Sequence, residues 1–203
     1  LLNFMLTLKL PNDEKHCGRF APVIDKCIKI DPKQRYEDIR SLKEAAQKAY
    51  AKKVYFYDEI GSTNVEAKRL AEAGAAHGTL VVADMQTAGR GRRGRQWISP
   101  AGTNIYFTIV LKPDIAPDKA SMLTLVIAHA ITKTFRDELG LSAGIKWPND
   151  VVIDGRKTCG ILTEMSVEQS DIRHVVIGVG INVRRQEFAP EIASRAIALD
   201  ELY

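Results

Sequence analysis

The sequence predicts an α+β fold over residues 54–203, a mixed, mainly antiparallel β-sheet covered by helices, behind a helical lead-in over residues 1–53. Three observations lead to that reading. Short apolar runs rich in Val, Ile, Tyr and Phe recur through the second region, and few segments carry the three-to-four-residue apolar period of a helix. The later runs follow one another through turn signals such as Asp154-Gly155, which favour hairpins over parallel crossovers.

Taken in order, Asp31 and Pro32 supply an N-cap and a first helical residue, and Tyr36, Ile39, Leu42, Ala46 and Ala49 recur on one face, so residues 31–52 read as an amphipathic helix. Val54–Tyr57 is a β run. Thr63 to Ala73 reads as a helix, with Thr63 and Glu66 as a capping box and Gly74 as its stop. Leu80–Asp84 and Asn104–Leu111 are strands separated by a glycine-arginine loop. Pro117 to Leu139, ended by Gly140, is the longest helix, with Met122, Leu125, Val126, His129, Ala130 and Phe135 expected near one face. Strands at Gly144–Trp147, Val151–Ile153, Lys157–Met165 and Val175–Val183 complete the sheet.

A composition of 45% hydrophobic and 27% charged residues is that of a folded domain and excludes a disordered chain. No apolar stretch reaches the roughly 18–20 residues of a membrane helix, and Asn3 and Lys9 interrupt the apolar N-terminus. Cys17, Cys27 and Cys159 lack paired spacing, which reads as reduced thiols in a cytoplasmic protein. His16, His77, His129 and His174 have no metal-ligand spacing, so the histidines read as structural and any metal ligands stay unknown.

The net charge of +4 is unevenly placed: residues 1–53 hold twelve Lys/Arg against seven Asp/Glu, whereas residues 54–203 hold 17 against 18. Within that balanced second region, Gln86 to Arg95 carries Arg90, Arg92, Arg93 and Arg95 and no acid. Such focusing argues for an anion site rather than a general nucleic-acid coat. Gly89, Gly91 and Gly94 let backbone N–H groups approach a ligand, and guanidiniums fork onto carboxylate or phosphate oxygens. The loop therefore reads as a lid that orders over an anion, with a solvated basic turn or an RNA-binding tract as the competing readings.

Five motifs in this region, GSTN (Gly61–Asn64), QTAGRGRRGRQWISPAGTNIYFT (Gln86–Thr108), KWPND (Lys146–Asp150), GRKTCGIL (Gly155–Leu162) and GVGIN (Gly178–Asn182), together resemble biotin protein ligases in order and spacing. The resemblance implies a class II synthetase-like catalytic domain. It also implies two-step chemistry, in which biotin and MgATP give biotinyl-5′-AMP and the biotinyl group passes to a lysine of a biotin carboxyl carrier protein. It marks Lys157, Arg92 and Arg90 as catalytic. Ser62, Thr63, Asn64, Gln86, Gly89, Arg90, Lys157, Gly160, Leu162, Gly178 and Gly180 fall on the biotin side, the glycines admitting the fused rings. Arg92, Arg93, Arg95, Trp97, Lys146, Asp150, Ile181 and Asn182 fall on the ATP side, with Trp97 stacking on adenine. ATP, biotin and Mg²⁺ are then substrates and activator, and no tightly bound cofactor is expected. Lipoate or octanoate transfer on the same fold, or a truncated biotin-binding module without turnover, are the alternatives.

Residues 25–45 resemble the end of a protein kinase domain through the pattern Asp31-Pro32-x-x-Arg35, so the lead-in reads as a linker or the tail of an upstream domain. No DNA-binding domain is recognised in residues 1–53, and a homodimer is an assembly that the resemblance allows. Family members extend further downstream, so the domain is expected to be incomplete at its C-terminal end.

Overall fold

A computed structural model describes residues 53–202. The lead-in helix at 31–52, the kinase-like segment at 25–45 and Cys17, Cys27 and His16 lie outside the described residues. The predicted α+β class is correct: a seven-stranded sheet runs β1 (Val54–Ile60), β2 (Leu80–Gln86), β3 (Asn104–Leu111), β7 (Asp171–Asn182), β6 (Arg156–Glu168), β5 (Asp150–Ile153), β4 (Ala143–Lys146) from edge to edge. Only β1 and β2 pair in parallel, and α1 (Thr63–Glu72) supplies the crossover that such a pair requires. Every other neighbouring pair is antiparallel.

Alternation along the central strands separates the two faces. Leu80, Val82, Ile109, Leu111, Val175 and Ile177 point to one side and bury α2 (Ala120–Leu139) through Leu123, Ile127, Ile131 and Phe135. Val81, Val110 and Val176 point to the other side, where Ala67, Leu70 and Ala71 of α1 pack. α1 covers only part of its face, and the uncovered remainder holds the cleft described below. At Asp154 and Gly155 both φ angles are positive, +50° and +76°, which is the type I′ signature and joins β5 to β6 in the tight turn that the sequence predicts.

Two local expectations change. The buried face of α2 is rotated from the predicted one: Ala130 and Phe135 are buried as expected, but Met122 and Leu125 are 58% and 37% exposed and His129 is also exposed, whereas Leu123, Ile127 and Ile131 are at most 4% exposed. Apolar residues occupy more than half of this helix's circumference, so periodicity alone left its rotation ambiguous. The capping box does not form. Ser62 is the N-cap residue, and Glu66 instead accepts from the Tyr57 hydroxyl at 2.7 Å and from Arg69 at 2.7 and 2.8 Å.

The α2 assignment is tested by truncation. Phe135→Ala should lower unfolding stability by about 3–5 kcal/mol, and Met122→Ala by less than about 1 kcal/mol, in urea melts of the same protein.

Candidate functional site: a glycine-floored cleft under an arginine hairpin

The cleft forms where β1 gives way to α1. Thr87 and Ala88 donate backbone hydrogen bonds to Ile60 and Gly61, which holds the end of β2 beside the start of α1. Gln86 is thereby brought to the helix N-terminus, where its Oε1 accepts from the Thr63 N–H at 2.9 Å and from the Thr63 hydroxyl at 3.0 Å. This side-chain carbonyl satisfies one of the helix's unpaired amides in place of a local cap. Ser62, Thr63 and Asn64 are all buried, at 3–4% exposure.

Beyond β2 the arginine segment is a hairpin. Arg90 bridges Gln96, the Trp97 N–H donates to the Gly89 carbonyl at 2.9 Å, and the Gly91 N–H donates to the Arg95 carbonyl at 2.7 Å. Its tip turns through Arg93 and Gly94, both at positive φ. Gly89 is required by close approach, since a Cβ there would lie 2.3 Å from the Trp97 carbonyl oxygen. The hairpin folds Trp97 back onto the sheet. Cβ atoms on Gly160 and Gly180 would lie 2.7 and 2.5 Å from the indole ring, so these two glycines are the bed on which it rests. Gly178 is occupied differently, because its Cβ would fall 1.9 Å from Asn64 Oδ1. The space left beneath the hairpin is about 40 Å³, room for a few waters.

Lys157 reaches the same face through an irregularity. Regular alternation would send it toward α2 with Cys159 and Ile161, but the ladder between β5 and β6 shifts register at Val151/Val152, and Thr158 is the extra residue. Lys157 Nζ then ends within 3.1 Å of the Cβ position of Gly160, 5.2 Å from the Trp97 ring centroid and 2.7 Å from Asp150. The bulged backbone is held by a downstream strap: the Lys157 N–H donates to the Arg195 carbonyl at 2.7 Å, and the Ile197 N–H donates to the Lys157 carbonyl at 3.0 Å.

The structure thus gathers Ser62, Thr63, Asn64, Gln86, Arg90, Arg92, Trp97, Lys157, Gly160, Leu162, Gly178 and Gly180 around one cleft. Other predicted residues lie elsewhere. Arg93 and Arg95 are exposed at the hairpin tip, and Lys146 is exposed at the end of β4. Ile181 is a correction: one residue past Gly180, alternation turns it into the α2 core at 6% exposure. Asn182 is buried and its Nδ2 donates to the Ile197 carbonyl at 3.4 Å, tying down the strap. Trp147 is 77% exposed. Cys159 is no nucleophile, since complete burial drives its thiol far above the ordinary range.

Sequence reasoning missed Asn149, Thr108 and Glu164. Asn149 lines the cleft and bonds to both backbone groups of Ile161. Glu164 pairs with Lys68 at 2.5 Å and with Arg90 at 3.5 Å. Burial raises its pKa, but hydrogen bonds from Lys68 and Asn64 and the charges of Lys68 and Arg90 outweigh that, so the carboxyl sits below its usual range. Its place two and four residues beyond Leu162 and Gly160 on one strand was the available signal.

Residues 58–182 match the model of the Biotin/lipoate A/B protein ligase family. The chain belongs to this family. It is 45% identical over 148 residues to the bifunctional ligase/repressor BirA of Bacillus subtilis, a match covering 72% of this chain and 46% of that protein. Over 128 residues it is 44% identical to the biotin–[acetyl-CoA-carboxylase] ligase of Paracoccus denitrificans, covering 60% and 51%. The biotin protein ligase of Aquifex aeolicus solved with biotin and ATP superposes with a TM-score of 0.62 at 34% identity, over 74% of this chain and 61% of that one. The chain spans about half the length of the curated relatives it matches.

In this family member the glycine bed is testable directly. Gly180→Ala should expel the indole, shifting Trp97 emission to the red in a Trp147→Phe background and costing about 1–3 kcal/mol of stability in thermal or urea melts.

Proposed function

We propose that residues 54–203 belong to the catalytic domain of an ATP-dependent biotin protein ligase, which forms biotinyl-5′-AMP and then biotinylates a lysine of a biotin carboxyl carrier domain. One observation carries this reading. Lys157, Arg90 and Arg92 line one cleft together with the neutral hydroxyl and amide groups of Ser62, Thr63, Asn64 and Gln86. That combination suits a ligand that carries both a neutral, hydrogen-bonding ring and a carboxylate.

In the first step a biotin carboxylate oxygen attacks the α-phosphorus of ATP, the bond from that phosphorus to the bridging oxygen breaks, and pyrophosphate leaves. Two anionic groups must approach, so cations at the junction lower the barrier by offsetting their repulsion. Lys157 suits that position because Asp150 fixes its ammonium while its stem crosses Gly160, where no side chain interferes. Arg90 and Arg92 would close from above. In the second step the carrier amine attacks the acyl carbon, AMP leaves, and the amine gives up a proton to solvent.

Ser62, Thr63, Asn64 and Gln86 suit the ring of biotin, and Trp97, with Lys157 at one side of its indole, suits the adenine. Fused rings exceed the space now under the hairpin, so binding would lift the Gly89–Trp97 segment. Among the described residues no three His, Cys, Asp or Glu side chains cluster, and Mg²⁺ would enter on the nucleotide's phosphates. Among the described residues β6 pairs with no strand on its outer edge beyond Ile161, which supports a homodimer or an extended partner there. No helix of the described residues is long and apolar enough to cross a membrane.

Single-turnover pyrophosphate release tests the reading. Biotin plus MgATP should release pyrophosphate, lipoate should not substitute for biotin, and Lys157→Ala should lose about 10²–10³-fold in rate. Normal turnover by that variant would remove Lys157 from the mechanism, and lipoate-dependent release would reassign the substrate.

A further inference from the structure

Glu164 is a carboxylate in contact with Arg90 and Asn64 of a cleft lined by cations, where its charge weakens the attraction for an anion unless it serves another purpose. Its side chain is 19% exposed. Lys68 takes one oxygen at 2.5 Å, and Arg90 Nη1 approaches that same oxygen at 3.5 Å. The other oxygen accepts from Asn64 Nδ2 at 2.9 Å.

The contact with Asn64 propagates. Asn64 Nδ2 also donates to the Leu162 carbonyl, and its Oδ1 accepts from the Thr108 hydroxyl at 2.7 Å. The amide cannot turn over, because its carbonyl would then face two acceptors, and it lies over Gly178, in space that a side chain there would take. Thr108 Oγ1 stands 2.9 Å from Thr63 Oγ1, and the Thr63 hydroxyl donates to Gln86 Oε1. Gln86 Nε2 donates to Ser99, whose hydroxyl donates to the Trp97 carbonyl. The chain of contacts leaves the arginine hairpin at the Arg90 side chain and returns to it at the Trp97 backbone. Glu164, like the Leu162 and Trp97 carbonyls, can only accept. Asn64 therefore donates to Glu164 and Leu162 and accepts from Thr108, while the Thr63 hydroxyl donates to a Gln86 oxygen that the Thr63 N–H also holds.

We propose that Glu164 is a positioning residue for ligand recognition, holding Arg90 above the cleft and, together with the Leu162 carbonyl, the amide of Asn64. The acyl ligand then meets a fixed amide and, at its carboxylate, a cation. The choice of biotin as that ligand rests on the function proposed above. Glu164→Gln is the informative change, because one carboxylate oxygen becomes an amino group. Lys68 retains the oxygen, so Asn64 meets a donor and cannot turn over to accommodate it.

In pyrophosphate-release assays, Glu164→Gln should raise the KM for biotin by about tenfold or more, the scale of a lost hydrogen bond to a charged group. The KM for ATP should stay within about twofold and kcat within about threefold. Lys68→Met removes the salt bridge but leaves both other contacts, and its biotin KM should stay within about twofold of the parent. Should the glutamine variant melt far below the parent, Glu164→Asp, which keeps the charge one methylene back, should give an intermediate biotin KM. An unchanged biotin KM, a parallel rise for ATP, or an equal rise in Lys68→Met would overturn the proposal. A ligand-free readout separates it from the assignment of biotin: in a Trp147→Phe background, Glu164→Gln should increase acrylamide quenching of Trp97. Unchanged quenching defeats the proposal even if the parent makes no adenylate, whereas increased quenching without pyrophosphate release supports Glu164 and counts against the biotin reading.

Discussion

Period-two alternation along β3, β7 and β6 is the constraint on which the rest of the structure depends. These strands must bury α2 on one side and still leave a binding surface on the other, and each residue step decides which task a side chain serves. Val175, Ile177 and Ile181 feed the core, whereas Val176 supports α1 and Gly178 and Gly180 remain bare beneath Asn64 and Trp97. A one-residue slip anywhere in β7 would bury the floor and expose the core. Pairing with β3 over eight positions and with β6 over ten, on its two sides, holds that register.

The same alternation would have withheld the one lysine that the chemistry needs. A bulge at Thr158 reverses the side on which Lys157 emerges, and the bulged backbone finds partners in a strap that arrives about forty residues later in the chain. Ala196, Ile197, Ala198 and Leu199 are buried at 7% exposure or less, so the strap is anchored by apolar packing rather than by the lysine it supports. Apolar burial thereby holds a cation beside the cleft, with Asp150 limiting the directions in which it can point.

The electrostatics of the cleft follow from where the acids are as much as from the arginines. Asp150 lies against Lys157 and Glu164 against Lys68 and Arg90, so two of the cationic side chains around the cleft are oriented by carboxylates of the protein itself. Such pairs contribute little to stability when half exposed. Their effect is to restrict the positions that the charges can take, which is the preorganisation a phosphoryl or acyl transfer site requires.

The sequence by itself determined the class of fold, the strand centres and both principal helices, because periodicity and turn chemistry are local signals, and the motifs that carry the family resemblance named many of the residues that line the cleft. Asn104–Leu111 was legible to the residue, and the turn at Asp154-Gly155 was legible by type. Tertiary structure alone decided the rotation of α2, the replacement of the local cap by Gln86, the inward turn of Ile181, the reversal at Lys157 and the entry of Glu164 into the site. Each of these depends on what a distant segment places opposite a residue: a bulge needs a partner strand, and a carboxylate gains its role only from the Arg90 and Asn64 that meet it across the cleft. Local pattern fixes which groups are present, and long-range packing fixes which of them face one another.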